Sequence, residues 1–310
     1  MKISIVGAGA MGCLYACILA SQHEVTLYDV VAETVAHISR DGIRLLDCDG
    51  SEKTVRIPIR RSGEGTEAAD LLILFVKDTA SEAALQANKN LIGEKTVLLS
   101  LQNGMGNGVI LERFAPEARI LLGTTKHNCV TVSPGVIRHS GAGMTYIGSL
   151  AQNKTTAEAV GGGFQACGIE TQVSSSVRHL LWEKLFVNMT INPLTALLDA
   201  KIGIIAADEN ARMLSFELIR EAVAVAHADG EQSFDVDTVF NALMKTAKTL
   251  ESGKASMCQD LENGRRTEID FINGAVVRLG EKYGIPTPTH KAIVALIHCK
   301  EALRIPKEFL

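Results

Sequence analysis

One stretch of this sequence combines a lysine with two asparagines at helical spacing. In Leu181-Trp182-Glu183-Lys184-Leu185-Phe186-Val187-Asn188, Lys184 and Asn188 are four residues apart and share a helix face. Asn192-Pro193 follows one turn later. Leu185, Phe186 and Val187 make the surroundings of Lys184 apolar. A partly buried lysine is poorly solvated as a cation and gives up a proton near neutrality. A ketone accepting hydride needs such a donor, because negative charge develops on its oxygen. The same segment also fits a lysine that buries its stem and keeps its ammonium in water.

A second polar cluster runs from Ser256-Met257-Cys258-Gln259-Asp260 through Arg265-Arg266-Thr267-Glu268-Ile269-Asp270 to Ile272-Asn273-Gly274. Ser256 could bond a substrate carboxylate. Glu268 could accept from a substrate hydroxyl or orient the lysine. The bland alternative is a solvated connection over Ser256–Gly264, with Glu268 at the positive end of a helix over Glu268–Tyr283.

Gly7-Ala8-Gly9-Ala10-Met11-Gly12 spells G-x-G-x-x-G between an apolar strand ending at Val6 and a helix starting inside the motif. Gly7 permits the turn, Gly9 lets the backbone approach a pyrophosphate, and Gly12 lets helix and sheet pack closely. The helix N-terminus offers free N–H groups to the anion. Asp29 ends the next strand, 20 residues after Gly9, where a carboxylate bonds both ribose hydroxyls of NAD and repels the 2′-phosphate of NADP. No Arg or Lys occurs from Val30 to Ser39 to reverse that charge, so Asp29 favours NADH. The other reading of Asp29 is a strand-end turn former. Asn103, in Leu101-Gln102-Asn103-Gly104-Met105-Gly106, and Lys77 follow two further strands on the carboxyl edge where ligands bind. Asn103 is placed to reach the nicotinamide ribose or the substrate; Lys77 also fits an exposed loop lysine.

The elements that position these residues alternate at first. Strands are expected at Lys2–Val6, Glu24–Asp29, Leu71–Val76 and Thr96–Ser100, and helices at 10–21, 79–87 and 107–114. Continuous apolar runs between helices indicate a parallel, doubly wound α/β sheet of Rossmann type. Arg119–Thr125, Asn128–Val132, Gly135–His139 and Met144–Gly148 read as added antiparallel strands extending the same domain. Beyond Ser174-Ser175-Ser176 the periodicity is helical. The expectation is a Rossmann domain over 1–175 and an all-helical substrate domain over 176–310. Val223–Ala228 and Ala292–Ile297 are apolar enough for internal packing or for a homodimer interface.

Composition narrows the class. A net charge of −4 gives no basic excess for nucleic acid. The apolar run at Leu71–Val76 is too short to span a bilayer, and no signal peptide opens the sequence, so a cytoplasmic protein without membrane partners is expected. Seven scattered cysteines lack a C-x-x-C pair. Neither a disulfide framework nor a metal site is expected, and Cys13 and Cys17 read as small buried hydrophobes.

Taken together, Gly7–Gly12, Phe75-Val76-Lys77, Gln102–Gly106, Gly123-Thr124-Thr125, Leu181-Trp182 with Lys184-Leu185, Asn188, Ile191–Ala196, Ser256-Met257 with Gln259-Asp260, and Thr267–Asp270 with Ile272-Asn273-Gly274 resemble the ketopantoate reductase family over essentially the whole chain. The resemblance implies reduction of 2-dehydropantoate to D-pantoate by a nicotinamide cofactor, toward pantothenate and coenzyme A. It implies Lys184 as general acid and Glu268 as a ligand of substrate and cofactor ribose. Asn188, Asn192 and Ser256 would hold the polar ends of the substrate, with Lys77 and Asn103 on the cofactor and Asn103 close to the reacting carbon. Two departures stand out. Asp29-Val30-Val31 lies where many members, which use NADPH, carry a basic residue. Ile202, within Asp199–Ile205, stands where some have an asparagine, which implies one substrate hydrogen bond fewer. The rivals are another 2-oxo acid or β-hydroxyacid dehydrogenase and a non-catalytic dinucleotide sensor, which would need none of Lys184, Asn188, Ser256 and Glu268.

Overall fold

The computed structural model describes residues 1–305. Its contacts separate two units: Met1–Gln102 with Asn107–Leu180, and Asn103–Gly106 with the chain from Leu181 on.

The first unit holds β1 (Lys2–Val6), α1 (Ala10–Leu19), β2 (Glu24–Asp29), α2 (Ala32–Asp41), β3 (Ile43–Leu46), β4 (Glu52–Val55), β5 (Ile59–Arg61), β6 (Leu71–Leu74), α3 (Ser81–Ala87), β7 (Val97–Ser100), α4 (Asn107–Leu111), β8 (Ile120–Thr125), β9 (Asn128–Ser133), β10 (Val136–Gly141), β11 (Thr145–Ser149), α5 (Lys154–Ala166) and β12 (Thr171–Val173). The main sheet runs β12-β11-β8-β7-β6-β1-β2-β5. Its strands from β8 to β5 are mutually parallel. The order reverses between β1 and β6, the switch point at which open α/β sheets bind ligands. The sheet core is apolar, with Ile3, Ile5, Leu27, Ile73 and Leu99 wholly buried.

The expectation of uniformly antiparallel added strands needs correction. β8 is parallel to β7, and only β11 is antiparallel to β8. β9 and β10 leave the main sheet and join β3 and β4 in a second sheet, ordered β4-β3-β10-β9, which packs on α1. The half-exposed strands β3 to β5 carry no long apolar run and escape a periodicity reading.

The remaining helices are α6 (Val177–Leu198), α7 (Ile204–Ala207), α8 (Glu209–Ala228), α9 (Val236–Thr249), α10 (Ser256–Glu262), α11 (Asn273–Tyr283) and α12 (Pro288–Arg304). Trp182 is fully buried in the second unit, and its indole N–H donates to Asp229 Oδ2 at 3.0 Å. Val223, Val225 and Ala226 pack internally. So do Ile293 and Ile297, whereas Leu296 is exposed in an apolar surface groove with Leu198 and Leu214. No described helix is long and apolar enough to cross a membrane. All seven cysteines are free.

Candidate active site

The glycine loop of the first unit is built as its residue types require. Gly7 has φ +106°, and a Cβ there would lie 2.8 Å from the Phe75 carbonyl. A Cβ on Gly12 would lie 1.9 Å from Gly7 O. Gly9 is different: its φ of −74° is ordinary, and nothing lies within 4 Å of its Cβ direction. Sterics inside the protein therefore do not demand glycine at position 9, and open space is what a close-approaching ligand needs. Gly9 is also the N-cap of α1 and supplies no side-chain cap to the first turn. Open space beside uncapped N–H groups fits the pyrophosphate of a dinucleotide.

Asp29 forms the strand-end turn of its second reading and also makes a long-range bond that no local pattern reveals. Its Oδ2 accepts from Ala8 N–H at 2.6 Å and its Oδ1 from Val31 N–H at 2.8 Å. The carboxylate thus ties the glycine loop to the end of β2 and forms the local turn as well. Each oxygen has a further lone pair for a ribose hydroxyl. Register pairing also sets Arg61 of β5 beside Asp29. This cation lies beyond Val30–Ser39, on a short strand that no apolar run marks.

Lys77 is exposed beyond β6 and precedes a 3₁₀ turn at Asp78–Ala80. The buried Gln102 amide fixes the backbone there. Its Nε2 donates to Val76 O at 2.7 Å and Ser81 Oγ at 2.8 Å, while its Oε1 accepts from Ser100 Oγ at 2.8 Å. One side chain therefore joins the ends of β6 and β7.

In the second unit, α6 carries Lys184, Asn188 and Asn192 on one face. Lys184 and Asn188 are half-buried and Asn192 is buried, while Leu185 and Phe186 anchor the helix in the core. Pro193 lies inside the helix and cannot donate to the Met189 carbonyl four residues back. Asn273 Nδ2 takes that carbonyl instead, at 2.9 Å. The proline so leaves an acceptor that fastens the start of α11 to α6.

Glu268 does not open a helix as expected. It precedes a separate 3₁₀ turn, Ile269–Phe271, and α11 begins at Asn273. The half-buried Glu268 follows a clamped residue: Thr267 N–H and Oγ–H both donate to the buried Glu301 Oε1 at 2.7 Å. His298 Nδ1 lies 2.9 Å from Glu301 Oε2, and its Nε2 lies 3.0 Å from Asp270 Oδ1. Burial alone would lower the His298 pKa, but the two carboxylates outweigh it and raise it.

The Asn103–Gly106 turn docks on the same segment. Met105 N–H donates to Phe271 O at 2.9 Å, and a Cβ on Gly104, with φ +83°, would lie 2.4 Å from that oxygen. Phe271 thereby holds the Asn103 and Glu268 turns together. Arg278, not singled out from the sequence, sets its guanidinium 5.9 Å from the Phe271 ring centroid. Ser256 is the exposed first residue of α10, where a polar connection was expected. Met257, Cys258 and Leu261 face the core, and Cys258 Sγ donates to Thr195 Oγ1 of α6 at 3.4 Å. Ile202 is buried in the apolar core, with no polar atom on its side chain.

The expected site residues thus divide between units. Gly7–Gly12, Asp29 and Lys77 belong to the first, and Asn103, Lys184, Asn188, Asn192, Ser256 and Glu268 to the second.

Comparison with known proteins places this arrangement. A family model described as ketopantoate reductase PanE/ApbA matches residues 3–152, and its C-terminal counterpart matches residues 176–301. The chain is 35% identical to the 2-dehydropantoate 2-reductase of Streptococcus pyogenes over 306 residues, covering 98% of this chain and 99% of that one. A D-mandelate dehydrogenase structure with NADH and anilino(oxo)acetate is similar at a TM-score of 0.93 and 32% identity, over 98% of this chain and 99% of that one. The 2-dehydropantoate 2-reductase structure from Geobacter metallireducens is similar at 0.89 and 27% identity, over 96% and 99%.

Proposed function

Because the chain belongs to the ketopantoate reductase family, we propose that it reduces 2-dehydropantoate to D-pantoate, with NADH preferred over NADPH, on the route to pantothenate and coenzyme A. The observation that carries this reading is the joining of three elements within one unit. Helix α6, which carries Lys184, Asn188 and Asn192, is tied at the Met189 carbonyl to Asn273 of α11. The Glu268 and Asn103 turns are joined at Phe271.

When bound, the reduced nicotinamide supplies a hydride to the carbonyl carbon. Lys184 Nζ gives a proton to the carbonyl oxygen as charge builds there. Asn188, Asn192 and Ser256 bond the carboxylate and hydroxyl ends of the substrate and fix the carbonyl's orientation. Glu268 accepts from a substrate hydroxyl and from the cofactor ribose. Asn103 would bind the substrate or the nicotinamide ribose, and Lys77 would contact the cofactor. The first turn of α1 binds the pyrophosphate, and Asp29 accepts from the adenosine ribose hydroxyls. Lys184→Ala should lower kcat by about 10²- to 10⁴-fold while the dissociation constant for NADH stays unchanged. Undiminished turnover would remove Lys184 from the reaction.

The likeness to D-mandelate dehydrogenase favours a second reading, reduction of a 2-oxo acid with a bulkier apolar substituent. The two readings share every chemical step and part on the substituent carried by the 2-oxo acid.

A further inference from the structure

The second sheet of the first unit carries metal-binding side-chain types on β9 and β10 and in the turn after β3. Cys129 on β9 is in register with His139 on β10. Beside His139 stands Asp47, directly after β3, with its Oδ1 2.7 Å from His139 Nδ1. The next residue, Cys48, is exposed in the β3–β4 turn. Ligand atoms of Asp47, Cys48 and His139 all lie within 4.8 Å of one another. On its other side, His139 Nε2 lies 3.0 Å from His127 Nδ1. His127 Nε2 is buried and has no hydrogen-bond partner among the described residues. None of these side chains has a part in the proposed reaction.

We infer that Asp47, Cys48 and His139 form a binding site for a divalent ion of borderline softness, Zn²⁺ or Co²⁺, with His127 supporting the ligand histidine from behind. A thiolate and an imidazole beside one carboxylate suit such an ion, whereas Mg²⁺ and Ca²⁺ take oxygen ligands. The Asp47 carboxylate and the Cys48 thiolate together balance the two positive charges. Without the ion, His139 Nδ1–H donates to Asp47 and His127 Nδ1–H donates to His139 Nε2. Binding passes the His127 proton to His139 Nε2, and His127 takes up at Nε2 the proton that His139 Nδ1 gives up, so that His139 Nδ1 coordinates and its Nε2–H donates to His127 Nδ1. This is the outer hydrogen bond that ligand histidines characteristically make. One proton leaves, from the Cys48 thiol. At bond lengths near 2.0–2.1 Å, tetrahedral ligands require the Asp47–His139 contact to open by about 0.6 Å. Asp47 is only partly buried and sits in a hairpin turn, which lets it move. Three protein ligands leave a fourth position for water, on the exposed Cys48 side. The ion would staple the β3–β4 turn to β10.

The test uses the full chain, tag-free, reduced and stripped with a chelator, titrated with Co²⁺. The expected result is a thiolate-to-cobalt charge-transfer band that saturates at one equivalent, is displaced by Zn²⁺, and is absent from Cys48→Ser. Cys48 is exposed, so that variant folds. Saturating Zn²⁺ should also raise the Tm of the parent but not of Cys48→Ser. A parent without the band, or a band unchanged in Cys48→Ser, would overturn the assignment.

Discussion

Replacing Asp29 by asparagine separates its role in building the turn from its role in choosing the cofactor. The aspartate accepts two backbone hydrogen bonds, from Ala8 at 2.6 Å and from Val31 at 2.8 Å. An asparagine has one carbonyl oxygen and can keep only one of them. Val31 is exposed, so water replaces that bond, and Ala8 keeps a neutral acceptor in place of a charged one. The stability cost is about 1 kcal/mol. Losing the charge weakens the ribose bonds of NADH by about 1 kcal/mol. It also removes repulsion of a 2′-phosphate, which for unit charges 4 Å apart runs from about 1 to about 4 kcal/mol with the local dielectric. Arg61 in register with Asp29 offsets part of that field, so about 1–2 kcal/mol is the appropriate share. The ratio of kcat/KM for NADH to that for NADPH should therefore fall by about 30- to 150-fold in Asp29→Asn, at about 1.4 kcal/mol per tenfold. A looser glycine loop harms both cofactors alike and cancels in the ratio. The assay is the initial rate with each reduced cofactor and one 2-oxo acid. A ratio unchanged within about threefold would take cofactor choice away from Asp29 and shift it to Arg61.

Glycine substitutions should divide by their surroundings. Gly12→Ala drives a Cβ to 1.9 Å from Gly7 O and should yield little folded protein. The Cβ of Gly9→Val would have nothing within 4 Å, so the substitution should cost no more than about 1 kcal/mol, yet weaken NADH binding at least tenfold in a fluorescence titration. A Gly9→Val variant binding NADH normally would contradict the pyrophosphate placement. Acid should weaken the second unit through His290, whose pKa burial pushes down to about 4. Its Nε2–H donates to Leu218 O at 3.0 Å and its Nδ1 accepts from Asn273 Nδ2 at 3.2 Å, which holds the neutral ring. The unfolded chain takes up this proton below the ordinary pKa of 6.5, and the folded chain only near 4. The stability contribution is therefore complete above pH 6.5 and is lost as pH falls toward 4, amounting to roughly 3 kcal/mol. His290→Gln should flatten the dependence of Tm on pH in that window; an unchanged slope would show that other groups carry it.

The parts of the fold that were legible were those with uninterrupted patterns. β1, β6 and β7 are covered on both faces and read as apolar runs, and α6 and α8 repeat their buried positions at helical spacing. What escaped lacks such a signal. β4 is almost wholly exposed, and β5 buries only Ile59 of three residues. α10 has seven residues, of which Ser256 and Glu262 face water, so it resembled a polar loop. For the candidate site, residue types and local spacing gave Lys184, Asn188 and the glycine loop. Register and long-range tethers were out of reach. The pairing of Asp29 with Arg61, the grip of Glu301 on Thr267 and the use of the Met189 carbonyl by Asn273 join residues 32, 34 and 84 positions apart. A single sequence carries no signal for such pairings. The Pro193 that frees the Met189 carbonyl was visible in the sequence, but its partner was not.

The most direct test of the proposed activity is a comparison of kcat/KM for 2-dehydropantoate and phenylglyoxylate, each with saturating NADH, with the product of the first identified by chiral chromatography. 2-Dehydropantoate should be the better substrate and yield D-pantoate, with one NADH consumed per product. Rapid turnover of phenylglyoxylate with none of 2-dehydropantoate would contradict it, and would move this chain to reductases of bulkier 2-oxo acids within the same family.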